Sequence, residues 1–554
     1  LKNQPGSGWA ATLLPGADGI GSLDCLSIIM ALEFDESSND GAAWVKECLG
    51  YVSGEEYDRA MKVAREMFSG SCKKKDNMGK FWALLVIAKV HLGLGELFDA
   101  QQVAEKAQQV LGKGSNPKQE AAVLHTLAKV NKQLCKFKEA LEVAEEAVAT
   151  FSKASSKTGE AAALNTIAGV HLAMQKKQEA LKVAKQSVVT FKDVNEKLGE
   201  ADALATVMRI NLGLRKNDDA LRSANEILGI YEGGDDPAKH GTALLMVAEV
   251  RTAMAEYAEA EDLAKRAVEI FESTSDKRMQ ATALRKLAEV CFASNNPTDG
   301  WTFVKEARDL CQQAGDMRGE ASALCFIARE HVKMGNFEEG GFIAEEGMKI
   351  CRQEGYKTLL ATTLHALAEG HMAELNAGAA GARETVINGE ARKKGKEALA
   401  IFQDTGSLAG QAKCLNVLSM AFLAYGNIME GKAKAKAAVQ LCQETGDKIG
   451  EGINLLLVAQ SRVFDNKDEA LRIARLAEKL MKEVGEIEYA RGAEDVVEFI
   501  RDFDRAGGGK KEKEGKVKLS DIQSEKTDIT MDSDGKFRGA YFHGFTARMA
   551  RAAR

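Results

Sequence analysis

The sequence predicts an all-α protein, a superhelical solenoid of antiparallel helical hairpins with a non-helical C-terminal tail. Three observations predict it. Of 554 residues, 45% are apolar but only 6% aromatic, and five are proline. Cores with so few rings are built from Ala, Leu and Val on packed helices, and scarce proline leaves those helices unbroken. The motif L-x-x-[ILV]-A places alanine at Ala88, Ala128, Ala168, Ala248, Ala288, Ala328 and Ala368, positions 40 or 80 apart, with Met208 in the gap. Each period carries an apolar stripe, a polar turn and a second stripe at helical spacing, as in "LNTIAGVHL" followed by "EALKVAKQSVVTF". Self-similarity at such a period marks stacked hairpins, none of which buries its apolar face alone.

Taken in chain order, residues 1–40 are an N-terminal arm or cap, with six acids and one base around the apolar "LDCLSIIMALEF". Residues 41–485 hold about eleven hairpins, the first with a degenerate leading helix near Trp44 to Tyr51 followed by Ala60 and Ala64 in "EYDRAMKVAREMF". Within each hairpin a second small residue follows the packing alanine by twelve, at Ala100, Ala140, Ala180, Ala220, Ala260, Gly300 and Gly340. A third lies seven further on, at Ala107, Ala147, Ser187, Ala267, Ala307 and Gly347, with Ile227 as the exception. Small residues at these places let two helices cross closely. Phe151, Phe191, Tyr231 and Phe271, one per repeat at the end of the second helix, are expected to fill the space between successive hairpins.

An insert at 375–395 breaks the register with Gly378, Gly381, Gly389 and Gly395 around the apolar Thr385 to Ile387; it is either a partner contact or loop drift. The register resumes at Ser419 and Ala459, and 486–505 reads as a capping helix. Residues 506–554 are a charged, glycine-rich linker and a tail. The tail mixes Phe537, Arg538, Tyr541, Phe542 and Phe545 and, beyond Asp534, carries only basic charges. It has the composition of an interface anchor. Its opposite sign to the acidic arm suggests self-docking or head-to-tail association.

The offsets of Ala168, Ala180 and Ser187, with Leu164 four before the first, resemble those of the tetratricopeptide repeat (TPR). The period is longer than the usual one, as in the long-repeat variety of Pins-like adaptors and kinesin light chains. The resemblance implies a protein-interaction solenoid whose first helices line a concave face. The family's aromatic inside the second helix is alanine here, at Ala104, Ala144 and Ala184, and the bulk moves to the helix end. The pairs Leu85/Lys89 and His125/Lys129 do not reproduce the carboxylate clamp of chaperone-binding members, so chaperone binding is not expected.

On that face the residue after the packing alanine changes from repeat to repeat: Lys89, Lys129, Gly169, Arg209, Glu249, Glu289, Arg329 and Glu369. With His125, Asn165 and Lys132, the residues Lys89, Lys129, Arg209 and Arg329 are the expected partner-binding set, suited to an acidic peptide or helix. The expected role is a non-catalytic scaffold or adaptor, a complex subunit in a larger multiprotein assembly. The alternative is a peptide-sensing regulator whose superhelix changes curvature. A nucleophile with its base, a phosphate-binding glycine loop and a zinc-ligand motif are all missing from the sequence, so no enzyme, cofactor or metal is expected.

Net charge of −6 gives no general attraction to nucleic acid, and no apolar run is long enough to span a bilayer. Ten cysteines without a CxxC pair point to a reducing compartment, with Cys311, Cys351 and Cys442 as small buried hydrophobes. The expected location is the cytoplasm, with plastid stroma or cilium as alternatives; starting at Leu1, the chain is read as processed or incomplete, which leaves room for a targeting segment. His171, three after a packing alanine, has His91, Asn131, Asn211, Arg251, Cys291, His331, His371, Phe422 and Arg462 as its equivalents, so it reads as a partly buried spacer.

Overall fold

The computed structural model describes residues 42–53, 56–112, 116–232, 236–376, 383–463, 465–484 and 487–502. The arm at 1–40 and the linker and tail at 506–554, with Phe537, Arg538, Tyr541, Phe542 and Phe545, lie outside the described residues. Among the described residues there are twenty-three helices. They are α1 (Ala42–Ser53), α2 (Tyr57–Lys74), α3 (Asn77–Leu94), α4 (Leu97–Leu111), α5 (Pro117–Gln133), α6 (Phe137–Lys153), α7 (Lys157–Ala173), α8 (Lys177–Asp193), α9 (Lys197–Gly213), α10 (Asn217–Tyr231), α11 (Pro237–Ala253) and α12 (Tyr257–Ser273). They continue as α13 (Lys277–Ala293), α14 (Pro297–Ala314), α15 (Met317–Lys333), α16 (Phe337–Glu354), α17 (Lys357–Asn376), α18 (Glu384–Thr405), α19 (Leu408–Ala424), α20 (Ile428–Thr445), α21 (Lys448–Arg462), α22 (Lys467–Val484) and α23 (Ile487–Asp502). None is long and apolar enough to cross a membrane.

The 40-residue period is two copies of one half-unit. Helices α6 to α9 are each 17 residues, and a three-residue turn follows each of them. The middle turn residue is left-handed at Cys135, Ser155, Gln175, Asn195 and Arg215, with φ between 54° and 60°. The next amide then closes the helix end: Lys176 N donates to the His171 carbonyl (2.9 Å) and Ser156 N to that of Phe151 (2.9 Å), the usual way of satisfying orphan carbonyls there. Side chains of Asp76, Asn116, Ser156 and Asp236 accept from backbone amides at the following helix starts. Pro117, Pro237 and Pro297 open α5, α11 and α14, where a missing N–H costs nothing.

The described chain divides into two units, one reaching Ile327 and including Glu345–Leu359 and Asp404–Ser407, the other holding the remainder. In the first, Ala168, Ala180 and Ser187 are all 0% exposed. The crossing there is so close that the Ser187 hydroxyl reaches the facing helix and donates to Ala161 O at 2.8 Å. The helix-end aromatics do join successive hairpins. A Cβ added at Gly159 would lie 2.3 Å from the Phe151 ring, and one at Gly199 would lie 2.2 Å from that of Phe191.

The period does not reveal that this unit's first hairpins meet its last residues. Thr358 Oγ1 donates to Leu94 O (2.8 Å) across 264 residues, and Tyr356 OH donates to Asp58 Oδ2 (3.2 Å) across 298. Arg278 stands 3.7 Å from Glu56, and the Arg318 guanidinium lies 5.0 Å over the Tyr57 ring and 5.8 Å from that of Tyr356. We call this polar line the seam.

In the second unit the same crossings recur, with Ser419 Oγ donating to Gly431 O at 2.8 Å. The described part of the insert is helical, and Gly378 and Gly381 lie outside the described residues. Helix α17 runs to Asn376 and α18 begins at Glu384, so Gly389 and Gly395 do not break the chain. Gly395 instead makes room for Leu418, 3.1 Å from where its Cβ would stand, and Asn388 ties α18 to α19 by donating to Ala421 O (2.9 Å). Ile387 is buried and Val386 is exposed. Cys311, Cys351 and Cys442 are core residues, 4%, 1% and 2% exposed.

Candidate partner-binding surface

In the first unit the leading helices present two adjacent rows, three residues before the packing alanine and one after it. The earlier row is interior. Leu85, His125, Asn165, Ala205 and Leu245 are all buried, and the polar members are bonded between repeats. His125 Nε2 meets Thr166 Oγ1 at 2.6 Å, and Asn165 Nδ2 donates to Asp202 Oδ2 at 3.3 Å. The Thr166 hydroxyl is directed at Ala162 O, which makes His125 Nε2 the donor to it. These bonds pair His125 Nε2 and Asn165 Nδ2, buried groups that would otherwise cost more than they contribute.

The later row faces outward. Lys89 is buried, but Lys129 is half-buried and Arg209 and Glu249 are exposed. Gly169 has a reason that lies in its neighbour: a Cβ there would stand 3.3 Å from the Lys132 ammonium, so glycine lets Lys132 lie across the next hairpin. The row then turns acidic. Glu289 is held by Arg285 (3.2 Å) and Lys286 (2.9 Å), so the charges of these three are answered within one turn. Of the expected set, Lys129 and Lys132 are half-buried and Arg209 is exposed, while Lys89, His125 and Asn165 are buried. Arg329 belongs to the second unit, 3.5 Å from Glu330.

Two equivalents of His171, His91 and Arg251, are ion-paired. Arg251, its equivalent two hairpins on, pairs with Glu256 and with Glu259 (2.9 Å). His91 in turn bonds Glu96 at 2.6 Å, with Asp99 close enough for the three to surround a cation. Because arginine holds the same two acidic positions elsewhere, the trio reads as an ion-paired turn. His171 itself is half-buried, and burial together with Lys176 holds its pKa below the ordinary 6.5.

His371, at the same position in the second unit, is likewise held below 6.5, by burial first and then Lys394. Both imidazoles therefore take up a proton more readily in the unfolded chain. Stability contributed this way is intact above pH 6.5 and falls as pH drops below it, until the lower folded values are reached. Urea titrations at neutral and mildly acid pH are expected to show that fall, and His371→Leu is expected to flatten it. An unchanged slope in the variant would remove His371 from the account.

No family model matches the chain, and no curated protein sequence does. Solved structures of similar fold include a Pyrococcus horikoshii signal-transduction ATPase with a tetratricopeptide repeat sensor, at 14% identity over 80% of this chain and 74% of that one, TM-score 0.40. They also include the apo quorum sensor NprR from B. thuringiensis, at 13% identity over 65% and 99%, TM-score 0.38. A third is a Podosopora anserina putative kinesin light chain with TPR-like repeats, at 18% identity over 35% and 94%, TM-score 0.31. The likeness is one of helical-repeat fold.

Proposed function

We propose that this protein is a non-catalytic scaffold or adaptor that captures an acidic segment of a partner on the first unit, through Lys129, Lys132 and Arg209. One observation carries the reading: the outward row varies in charge from hairpin to hairpin while the scaffold beneath it repeats. Packing fixes Lys89 and Gly169 in that row but leaves Arg209 exposed and Lys129 partly so, and cations spaced along such a face suit charge-assisted bonds to carboxylates. An acidic amphipathic peptide and its charge-reversed twin are the probes. Lys129→Glu with Arg209→Glu is expected to weaken binding of the acidic probe by about tenfold or more, the effect of losing roughly 1.4 kcal/mol. Equal binding of the twin, or indifference to the reversals, sinks the proposal.

A larger assembly is the setting we infer, and deletion of 506–554 separates the two modes of attachment. Loss of a partner on charge reversal supports capture by the repeat face; loss only on deletion supports anchoring by the tail. The seam favours a second reading, a peptide-sensing regulator, because a line of few polar contacts is a place where a coiled unit changes curvature at small cost.

A further inference from the structure

Most core thiols are inert by burial. The surroundings of Cys48 and Cys291 push their thiols up to about 11, and those of Cys311, Cys414 and Cys442 to about 12. Cys351, at the end of α16, sits in the same core register but beside a second thiol. Cys325 on α15 stands where other hairpins have His125, Asn165 or Arg285, is partly exposed, and hydrogen-bonds to Cys351. The approach is made by Gly347, one turn before Cys351, where a Cβ would lie only 3.3 Å from the Cys325 sulfur. The result is two facing thiols on antiparallel helices of one hairpin, one reachable from solvent and one 1% exposed.

We propose that Cys325 and Cys351 are an oxidation site, closed by hydrogen peroxide to a disulfide within the hairpin and reopened by thiol reductants. Cys351 is held below the usual thiol range by the Cys325 hydrogen bond first and by Arg318 and Arg352 next, against the effect of burial. Cys325, the sulfur that solvent reaches, passes its proton along the hydrogen bond to the Cys351 thiolate as it attacks one peroxide oxygen, giving Cys325 sulfenic acid and a hydroxide that becomes water on protonation. The Cys351 sulfur then attacks the sulfenic sulfur and displaces hydroxide, which takes the Cys351 proton and leaves as a second water. Two thiols and one peroxide become one disulfide and two waters. Hydrogen-bonded sulfurs need to close by roughly 1.5 Å to reach bonding distance, a movement that glycine at 347 leaves unobstructed.

Arg318 faces Cys351 and also stacks on Tyr57 and Tyr356 in the seam. Oxidation removes the negative charge beneath that guanidinium, so the site lies where it acts on the unit's closure.

The test is peroxide titration of the reduced full-length chain, alkylation, digestion and mass spectrometry. Expected is a crosslinked peptide pair carrying Cys325 and Cys351, lighter by two hydrogens and restored by dithiothreitol. It should form at about tenfold lower peroxide than oxidises the exposed Cys72. Cys325→Ser should abolish the mass loss, while the crosslink in the unaltered chain stands independently of that variant's folding. Oxidation confined to Cys72 or Cys135, with 325 and 351 still alkylated, overturns the proposal, as does a loss of two hydrogens that persists in Cys325→Ser.

Discussion

Phe191→Ala is expected to lower the unfolding free energy by about 3–5 kcal/mol, the range for deleting a fully buried ring. Phe191 is 0% exposed and its ring lies against Gly199 at the start of the next hairpin. A residue without a side chain on the facing helix leaves nothing to collapse into the vacated space, which places the cost toward the upper end. In a solenoid each hairpin contacts chiefly its neighbours, so hydrogen exchange should accelerate first in α7 to α10. The reciprocal change is informative too. Gly199→Ala gains up to about 1 kcal/mol of helix propensity, yet places a Cβ 2.2 Å from the ring, an overpacking worth about 1–3 kcal/mol. In a Phe191→Leu background that penalty should shrink, giving a favourable coupling in the double-mutant cycle. A Phe191→Ala cost below about 1 kcal/mol, or uniform loss of protection across the first unit, would contradict this account of how hairpins are joined.

The packing was legible because it is periodic. Ala168, Ala180, Ser187 and Phe191 each perform a contact that recurs every 40 residues, and internal comparison substitutes for an alignment. Four features were not legible, each for a different reason. The turns hide because their left-handed residues are mostly not glycine: Cys135, Gln175 and Arg215 hold φ of 59°, 60° and 56°, so the spacing marks them and the residue type does not. His125 and Asn165 were read as accessible because they are polar, but polarity predicts a bonded neighbour as well as solvent, and here Thr166 and Asp202 supply it. The glycines at 389 and 395 misled in the opposite sense, since a glycine that admits Leu418 to a helix crossing is indistinguishable in sequence from one that ends a helix. The seam leaves no periodic trace at all. Tyr57, Arg318, Tyr356 and Thr358 are single residues meeting across some hundreds of positions, and only the accumulated rotation of many hairpins brings them together.

That seam yields the second large expected effect. Gly95 closes α3 with φ of 75°, and a Cβ there would stand 2.8 Å from Thr358 Oγ1 and 3.2 Å from its methyl. Gly95→Ala therefore combines left-handed strain of about 1–2 kcal/mol with a collision that breaks the Thr358–Leu94 bond. Gly315→Ala is the control, because Gly315 is left-handed at 67° with nothing within 4 Å of its absent Cβ; it carries the strain alone. The excess of Gly95→Ala over Gly315→Ala, expected at about 1–3 kcal/mol for the overpacked contact, measures the seam. Adding Thr358→Ala should remove the collision and recover most of the excess. Amide exchange near Leu94 and at 354–360 should quicken in Gly95→Ala and not in the control. Equal destabilisation by the two glycine changes would mean the seam contributes nothing to closure. If it does contribute, the Gly95→Ala chain also decides between the functional readings: a fixed scaffold binds the acidic probe with unaltered affinity when the seam is forced open, whereas a curvature-sensing regulator binds it differently, because a ligand coupled to closure must respond when closure is taken away.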